Sequence, residues 1–439
     1  MSSPARSNAD LAINGGTAVR TTPLPWELPG AHWIGKEEED LVTRVVRAQS
    51  PFRYYGADPQ HMVDTLEGEF AARLGRRHAL AVNCGTQALH ICLAAMGVGP
   101  GDEVIVPGYM WVSCLSAVVR LGGIPRLADI DDTFCICPKD LDAKINDRTK
   151  AILYVNMSGA PGHIDAVQKI AKARGVYLLE DCAQAAGASL HGRASGTFGD
   201  MSIFSFQQNK NMTAGEGGLI VCDDEHLFKR AFAVHDLGYA RTAAGRLDPT
   251  EEAYQLWGVG ARMSELSGAM ALAQLRKLDR ITGAMRDAKW KIRKRLEALP
   301  GLSFRTVLDP AGDSGPFLLM LFKDSATADR VIAAVQAEGV KGPEGSMACV
   351  TLKQWGLHWY FNVPSLTHKR AISPDGFPWS HPANAFHDGI SYARGSLPVC
   401  DEYHDRGALL AIASCLTDKD VDDIATAFEK VAAVMLDGQ

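Results

Sequence analysis

The sequence has little to draw it to a polyanion or a bilayer. Its 439 residues carry 45 Lys and Arg against 51 Asp and Glu, a net charge of -6 with no long basic block. Broad attraction to nucleic acid or anionic lipid is therefore not expected, and a strongly anionic ligand would need a local site. The opening "MSSPARSNADLAINGG" has no apolar h-region, and the uncharged stretch 79–101 is broken by Asn83, Gln87, His90, Pro100 and four glycines. Neither export nor membrane insertion is expected. G-x-x-x-x-G-K-[ST], H-E-x-x-H and G-x-S-x-G are missing, which removes the usual signals of P-loop phosphoryl transfer, zinc proteolysis and the α/β-hydrolase elbow. "GVGPGD" (97–102) lacks the third glycine of a dinucleotide turn and precedes a strand, so it reads as a helix stop. The ten cysteines are scattered through apolar segments. Cys135 and Cys137 have no second Cys or His pair at zinc spacing and read as strand residues, and a reducing cytoplasm fits a core that needs no disulfides.

What is present is ordinary globular composition, 46% hydrophobic and 22% charged, in a chain long enough for one large and one smaller domain. From residue 79 apolar runs alternate with helix-like segments: "ALAV", "TQALHICLAAM", "EVIVP", "WVSCLSAVVRL", "IPRLADI", "KAILYV", "IDAVQKIAKARG" and "VYLLED". This rhythm predicts an α/β fold with a largely parallel sheet covered by helices and chemistry at the carboxyl ends of its strands. After "LIVC" (219–222) come the helix-like "SELSGAMALAQLRKLDRI" and a separate charged stretch, "MRDAKWKIRKRLEAL", stopped by Pro300-Gly301. The expected division is a large domain with an N-terminal arm over 1–290 and a small C-terminal α+β domain over 291–439. The small domain would hold the strand "PFLLMLF", the helix "SATADRVIAAVQAEG", an irregular aromatic and proline-rich region around 354–384, and a last helix with Thr417 as N-cap and Asp420 three residues on.

Three places agree on one chemistry. In "NCGTQAL", Gly85 and Thr86 stand between a strand and a helix start, where free N–H groups and a hydroxyl can hold a phosphate; Thr86 alone reads equally as an N-cap. "VYLLEDCAQAAGA" ends a strand in Glu180-Asp181, and a carboxylate there is costly unless it meets a cation or donors; either residue in isolation reads as a solvated turn acid. "FSFQQNKNMTAGEGG" sets Lys210 between an apolar strand, which can lower an amine's pKa by desolvation, and glycines that can bring backbone close to a flat cofactor. A single lysine before a turn is otherwise a surface residue. Together they suggest a phosphate cup, an acid for a pyridine nitrogen and a lysine for an aldehyde: pyridoxal 5'-phosphate. Trp111, at another strand end, reads as a ring-stacking residue or a core aromatic. Arg53, Tyr54, Tyr55 and the aromatics of 355–380 read either as packing or as the lining of a substrate site.

The string "EDCAQAAGA…GTFGDMSIFSFQQNKNMTAGEGGLIVCDD", with "GGTAVR", "RYYG", "NCGTQALHICLAAMGVGPGDEVIVPGYMW" and "RMSELSGAMALAQLRKLD", resembles the DegT/StrS-type sugar and cyclitol aminotransferases, fold type I pyridoxal phosphate enzymes. The resemblance implies Lys210 as the Schiff-base lysine, Asp181 as partner of the pyridine nitrogen and Gln184 beside the ring oxygen. It further implies Gly85, Thr86 and Ser205 as phosphate contacts and Trp111 stacked on the cofactor. No metal is expected from the cysteine spacing; the resemblance implies a homodimer with shared active sites, and transfer of an amino group from L-glutamine or L-glutamate to a ketone on a cyclitol, sugar or sugar nucleotide. "QQNKNMTAGEGG" looks closer to the cyclitol and natural-product members, whose products include antibiotics. Elimination or dehydration on the same fold and a non-catalytic cofactor-binding regulator are the alternatives, although relatives that dehydrate carry histidine where Lys210 stands. Four positions depart from the family pattern: Gly260 replaces an asparagine that reaches the partner's phosphate, Met110 a threonine, and Asn156 and Ser158 lie in "VNMSG" where V-H-L-Y-G is common.

Overall fold

A computed structural model describes residues 7–436; what was expected of residues 1–6 and 437–439, at the outer edges of the two predicted domains, lies outside the described residues. A seven-stranded sheet forms the centre. Its strands are β1 (His78–Val82), β2 (Glu103–Pro107), β3 (Ile124–Ala128), β4 (Thr149–Val155), β5 (Tyr177–Asp181), β6 (Met201–Ser205) and β7 (Gly218–Cys222), in the order β1-β7-β6-β5-β4-β2-β3. From β6 to β3 every neighbouring pair is parallel, while β7 runs antiparallel to both β1 and β6. The near-continuous apolar runs of the sequence follow from helices covering both faces: β2 and β6 are buried at every position.

The alternation read from the sequence is the one observed. Helices α1 (Lys36–Arg47) and α2 (Met62–Leu74) precede the sheet, and α3 (Gly85–Ala95), α4 (Ser113–Arg120), α5 (Pro138–Lys144), α6 (Ile164–Arg174) and α7 (Glu225–His235) connect or follow its strands. Helix α6 stops where Gly175 enters the left-handed region, φ +66°. Two readings need correction. Cys135 and Cys137 lie in a turn between β3 and α5, Cys137 being the residue before the helix, because Phe134 reverses the chain at φ +58°. The two segments expected on either side of residue 283 form one 32-residue helix, α8 (Glu265–Leu296): Gly283 has no neighbour within 4 Å of where a Cβ would stand, and a glycine inside a helix costs only about 1 kcal/mol relative to alanine, too little to break one this well packed.

Helix α8 joins two hydrophobic cores. Leu272, Leu275 and Leu278 pack with α2 and the β6–β7 side of the sheet, whereas Ile281, Met285, Ile292 and Leu296 pack into a second core. That second core includes a four-stranded antiparallel sheet, β8 (Ser303–Phe304), β9 (Phe317–Leu321), β10 (Cys349–Thr351) and β11 (Gly407–Ala411), in the order β8-β9-β11-β10. Helices α9 (Ser325–Ala337) and α11 (Asp418–Met435) cover it, and α10 (Pro398–Arg406) leads into β11. Thr417 caps α11 in a box with Asp420. Leu11 and Leu24 belong to this core as well. No helix among the described residues is long and apolar enough to cross a membrane.

On the part of α8 that packs into the second core, Lys289 forms an ion pair of 2.5 Å with Asp313, both side chains at most 2% exposed. Burial holds the Lys289 amine below its ordinary pKa against the pull of Asp313. Such a pair is weak evidence for net stability, but breaking it strands a charge. Lys289→Met alone is expected to cost about 3–5 kcal/mol in denaturant unfolding, and the double change with Asp313→Leu clearly less; equal losses would show that the pairing contributes nothing.

Candidate active site

The carboxyl ends of β1, β5 and β6 converge on a cavity of about 470 Å³, and Gly85, Thr86, Trp111, Asp181, Gln184, Ser205 and Lys210 all line it. Glu180 and Asp181 show how the strand period separates two adjacent acids. The Glu180 carboxylate turns away from the cavity and accepts hydrogen bonds from the N–H groups of Gly196, Phe198 and Gly199, from Ser202 Oγ, and from Asn156 Nδ2 at 2.8 Å. It is a structural anion that folds the 195–199 turn. Asp181 faces the cavity, with Oδ1 accepting from Ala183 N–H at 2.8 Å and Oδ2 approached by the Cys114 thiol at 3.5 Å. Neither acid is solvated.

Lys210 follows β6 in a loop held at several points. Its N–H donates to Gln207 O, its carbonyl accepts from Gly30 N–H, Asn211 Nδ2 donates to Ala186 O, and Thr213 Oγ1 and Ala214 N–H both reach Phe206 O. Burial pushes the Lys210 amine below its ordinary pKa, and the Asp181 carboxylate pulls it partly back. Burial likewise raises the Asp181 carboxyl, offset by Ala183 N–H, Lys210 and Cys114. Desolvation thus opposes the charge of each group, and the opposite charge of the other favours it.

Two of the glycines after Lys210 make room for the protein's own atoms. A Cβ on Gly218 would fall 2.7 Å from the carbonyl carbon of Cys84 and 2.9 Å from Gly85 N, and one on Gly217 would press on Phe206 and Met263. Gly218 thus lets β7 come against the β1–α3 turn at the edge of the cavity. Gly85 in turn leaves room for Ser205, whose Cβ would lie 2.8 Å from an added one. Gln184 Oε1 accepts from Ser158 N–H at 2.9 Å, so its Nε2 donor is the end left for the cavity. Ser158 makes that contact from the left-handed region, φ +57°.

Trp111 stands at the rim, 45% exposed, 4.8 Å from the His358 ring, which stacks on Trp355 at 4.6 Å. His358 Nδ1–H donates to Trp355 O. Burial, with Lys210 nearby, lowers its pKa to about 4, so the ring is neutral at pH 7 with Nε2 as acceptor. Met110 N–H donates to His358 O, which ties this aromatic wall to the strand end carrying Trp111. Sequence reading named the 355–380 region without choosing these two residues, and it missed Ser113, Cys114, Glu216 and Phe317, which also line the cavity. Ser113 and Cys114 had a signal: they open the helix directly after Trp111. Arg53, Tyr54 and Tyr55 do not line it. Arg53 is buried against Glu67 at 2.8 Å, and Tyr54 Oη meets His235 Nε2 at 3.0 Å. Gly260 is left-handed at φ +65°, a conformation asparagine also tolerates.

A half-buried amine sharing a cavity with a buried carboxylate, beside a helix N-terminus at the strand ends of an open sheet, fits an α/β enzyme of carbonyl–amine chemistry. Residues 34–344 match the model of the DegT/DnrJ/EryC1/StrS aminotransferase family, and the chain belongs to that family. It is 33% identical over 354 residues to a putative L-glutamine:3-amino-2,3-dideoxy-scyllo-inosose aminotransferase of Streptoalloteichus tenebrarius, covering 76% of this chain and 79% of that one. It is 36% identical over 239 residues to a GDP-perosamine synthase of Vibrio cholerae, 54% of this chain and 63% of that protein. The crystal structure of 3-amino-5-hydroxybenzoic acid synthase superposes with a TM-score of 0.73 at 25% identity over 95% of this chain and 98% of that one. The fold type I architecture implied by the sequence is the one observed.

The mutual control of Lys210 and Asp181 is open to measurement in the cofactor-free protein. Acylation of Lys210, followed by peptide mass spectrometry against pH, is expected to begin at lower pH than at exposed lysines. In Asp181→Asn it begins lower still, because the carboxylate that raises the amine's pKa is gone; an upward shift would contradict the arrangement.

Proposed function

We propose that this chain moves an amino group from L-glutamine or L-glutamate to a ketone on a cyclitol, sugar or sugar nucleotide, using pyridoxal 5'-phosphate held in the described cavity. The single observation that carries the reading is a half-buried Lys210 sharing one cavity with a buried Asp181, with the N-terminus of α3 beside them. The donor set fits the cofactor: a cup shaped by Gly85 and Gly218 for its phosphate, a free amide of Gln184 for its ring oxygen, and a carboxylate for its ring nitrogen. When bound, the cofactor supplies an aldehyde for an amine and an electron-withdrawing ring for the bond broken at the substrate carbon.

The chain's own part follows from placement. Asp181, fixed by Ala183 N–H, holds the proton at the ring nitrogen, which needs the carboxylate ionised. The N–H groups opening α3, with Thr86 and Ser205, anchor the phosphate. Trp111 covers one ring face. Lys210 Nζ would hold the aldehyde and, when free, would take a proton from the substrate carbon as base and return it as acid; burial, which lowers its pKa, favours the neutral amine that this role needs. Val155, Ile203, Met157 and Phe317 keep water from the reacting atoms.

The L-glutamine donor and cyclitol acceptor in the name of the Streptoalloteichus relative, together with the "QQNKNMTAGEGG" wording, favour an aminocyclitol in natural-product biosynthesis over a nucleotide sugar. Elimination or dehydration, and a cofactor-binding regulator, are the competing readings. We take the protein as cytoplasmic and as a homodimer with shared sites. Trp257 at 95% exposure, with Leu237 and Val259 beside it, supports such an interface. Incubating the holoprotein with L-[α-15N]glutamine or L-[α-15N]glutamate and a panel of keto-cyclitols and keto-sugar nucleotides is expected to place 15N in an acceptor. Product formed without a donor would point to elimination, and cofactor binding without turnover to the regulator.

A further inference from the structure

The first turn of α4 touches the cavity at two ends. Cys114 reaches Asp181, as described, and Ser113 Oγ lies 2.8 Å from Thr86 Oγ1 at the opening of α3. Ser205 packs against Gly85 from the end of β6. Three hydroxyls, carried by α3, α4 and β6, therefore surround one helix N-terminus, and all three residues line the cavity. Two hydroxyls that share one hydrogen bond leave one proton over. When Ser113 donates to Thr86, the Thr86 O–H is free; in the reverse arrangement the Ser113 O–H is free. Ser205 Oγ is engaged only as acceptor, from Gln207 N–H at 3.4 Å, so its proton is free as well. Each arrangement leaves unspent donors beside the backbone N–H groups of α3, and an anion with several acceptor oxygens would satisfy them together.

We propose that Ser113 is a further phosphate-binding residue of this site, completing from α4 the cup that Gly85, Thr86 and Ser205 begin. The inference rests on the reading of the cavity as the pyridoxal phosphate site. Ser113 acts at the phosphate alone, either by donating to it or by aligning Thr86 toward it, and takes no part at the ring.

The test compares two ligands on the full chain freed of cofactor: pyridoxal 5'-phosphate, and 5-deoxypyridoxal, which keeps the ring and aldehyde but has no phosphate. Ser113→Ala is expected to weaken the phosphate-bearing ligand roughly 10-fold or more, as loss of one hydrogen bond to a charged group would, and to leave 5-deoxypyridoxal within about 2-fold of the parent, while Ser113→Thr restores binding. Equal weakening of both ligands assigns Ser113 a merely structural role and overturns the inference, as does no change in either. A parent chain that binds neither ligand overturns the cofactor reading itself, and this inference with it.

Discussion

The structure depends on setting one half-buried amine and one buried carboxylate on the same side of a sheet. Left alone, either charge is costly in such surroundings. Set facing one cavity they support each other, and the strain that remains appears as an amine below and a carboxyl above their ordinary pKa values. The parallel pairing of β5 with β6 places both at neighbouring strand ends, where Asp181 closes one strand and Lys210 follows the other. The single antiparallel strand, β7, returns against β6 and brings Gly218 to the β1–α3 turn. Topology thus joins the amine, the acid and the phosphate cup without a long-range salt-bridge network.

Polar side chains next to the site are used mostly to hold it. Glu180 gathers six donors, three of them from one turn, and Asn156 is committed to it. Ser158 spends its N–H on Gln184. Two positions that depart from the common family pattern are therefore part of the frame around Asp181 and Gln184, and Met110 fastens the wall that carries Trp111 and His358. These substitutions reshape the supports of the pocket while leaving Lys210 and Asp181 at its centre.

Much of this was legible in the sequence. The strand Glu103–Pro107 and the stop at Gly175 were readable to the residue, since a fully buried strand and a left-handed glycine leave plain local marks. All seven residues named for the site reach one cavity because motifs at strand ends carry their placement with them. What escaped was set by tertiary packing. Segment 352–397 consists mainly of short turns with no sustained period, so nothing local told Trp355 and His358 from their aromatic neighbours. Arg53 became a packing residue because Glu67, fourteen positions away, folds back onto it. Of the glycines of "GEGG", only the fold reveals that Gly218 approaches backbone, at Cys84 and Gly85, and that Gly217 approaches the side chains of Phe206 and Met263.

The most direct measurement of the central claim is reductive trapping: the holoprotein treated with borohydride, digested and mapped by mass spectrometry. The account predicts one phosphopyridoxyl tag, on the peptide containing Lys210, and none in Lys210→Ala. A tag on another lysine in the native chain, or no tag in protein that demonstrably binds the cofactor, would contradict it.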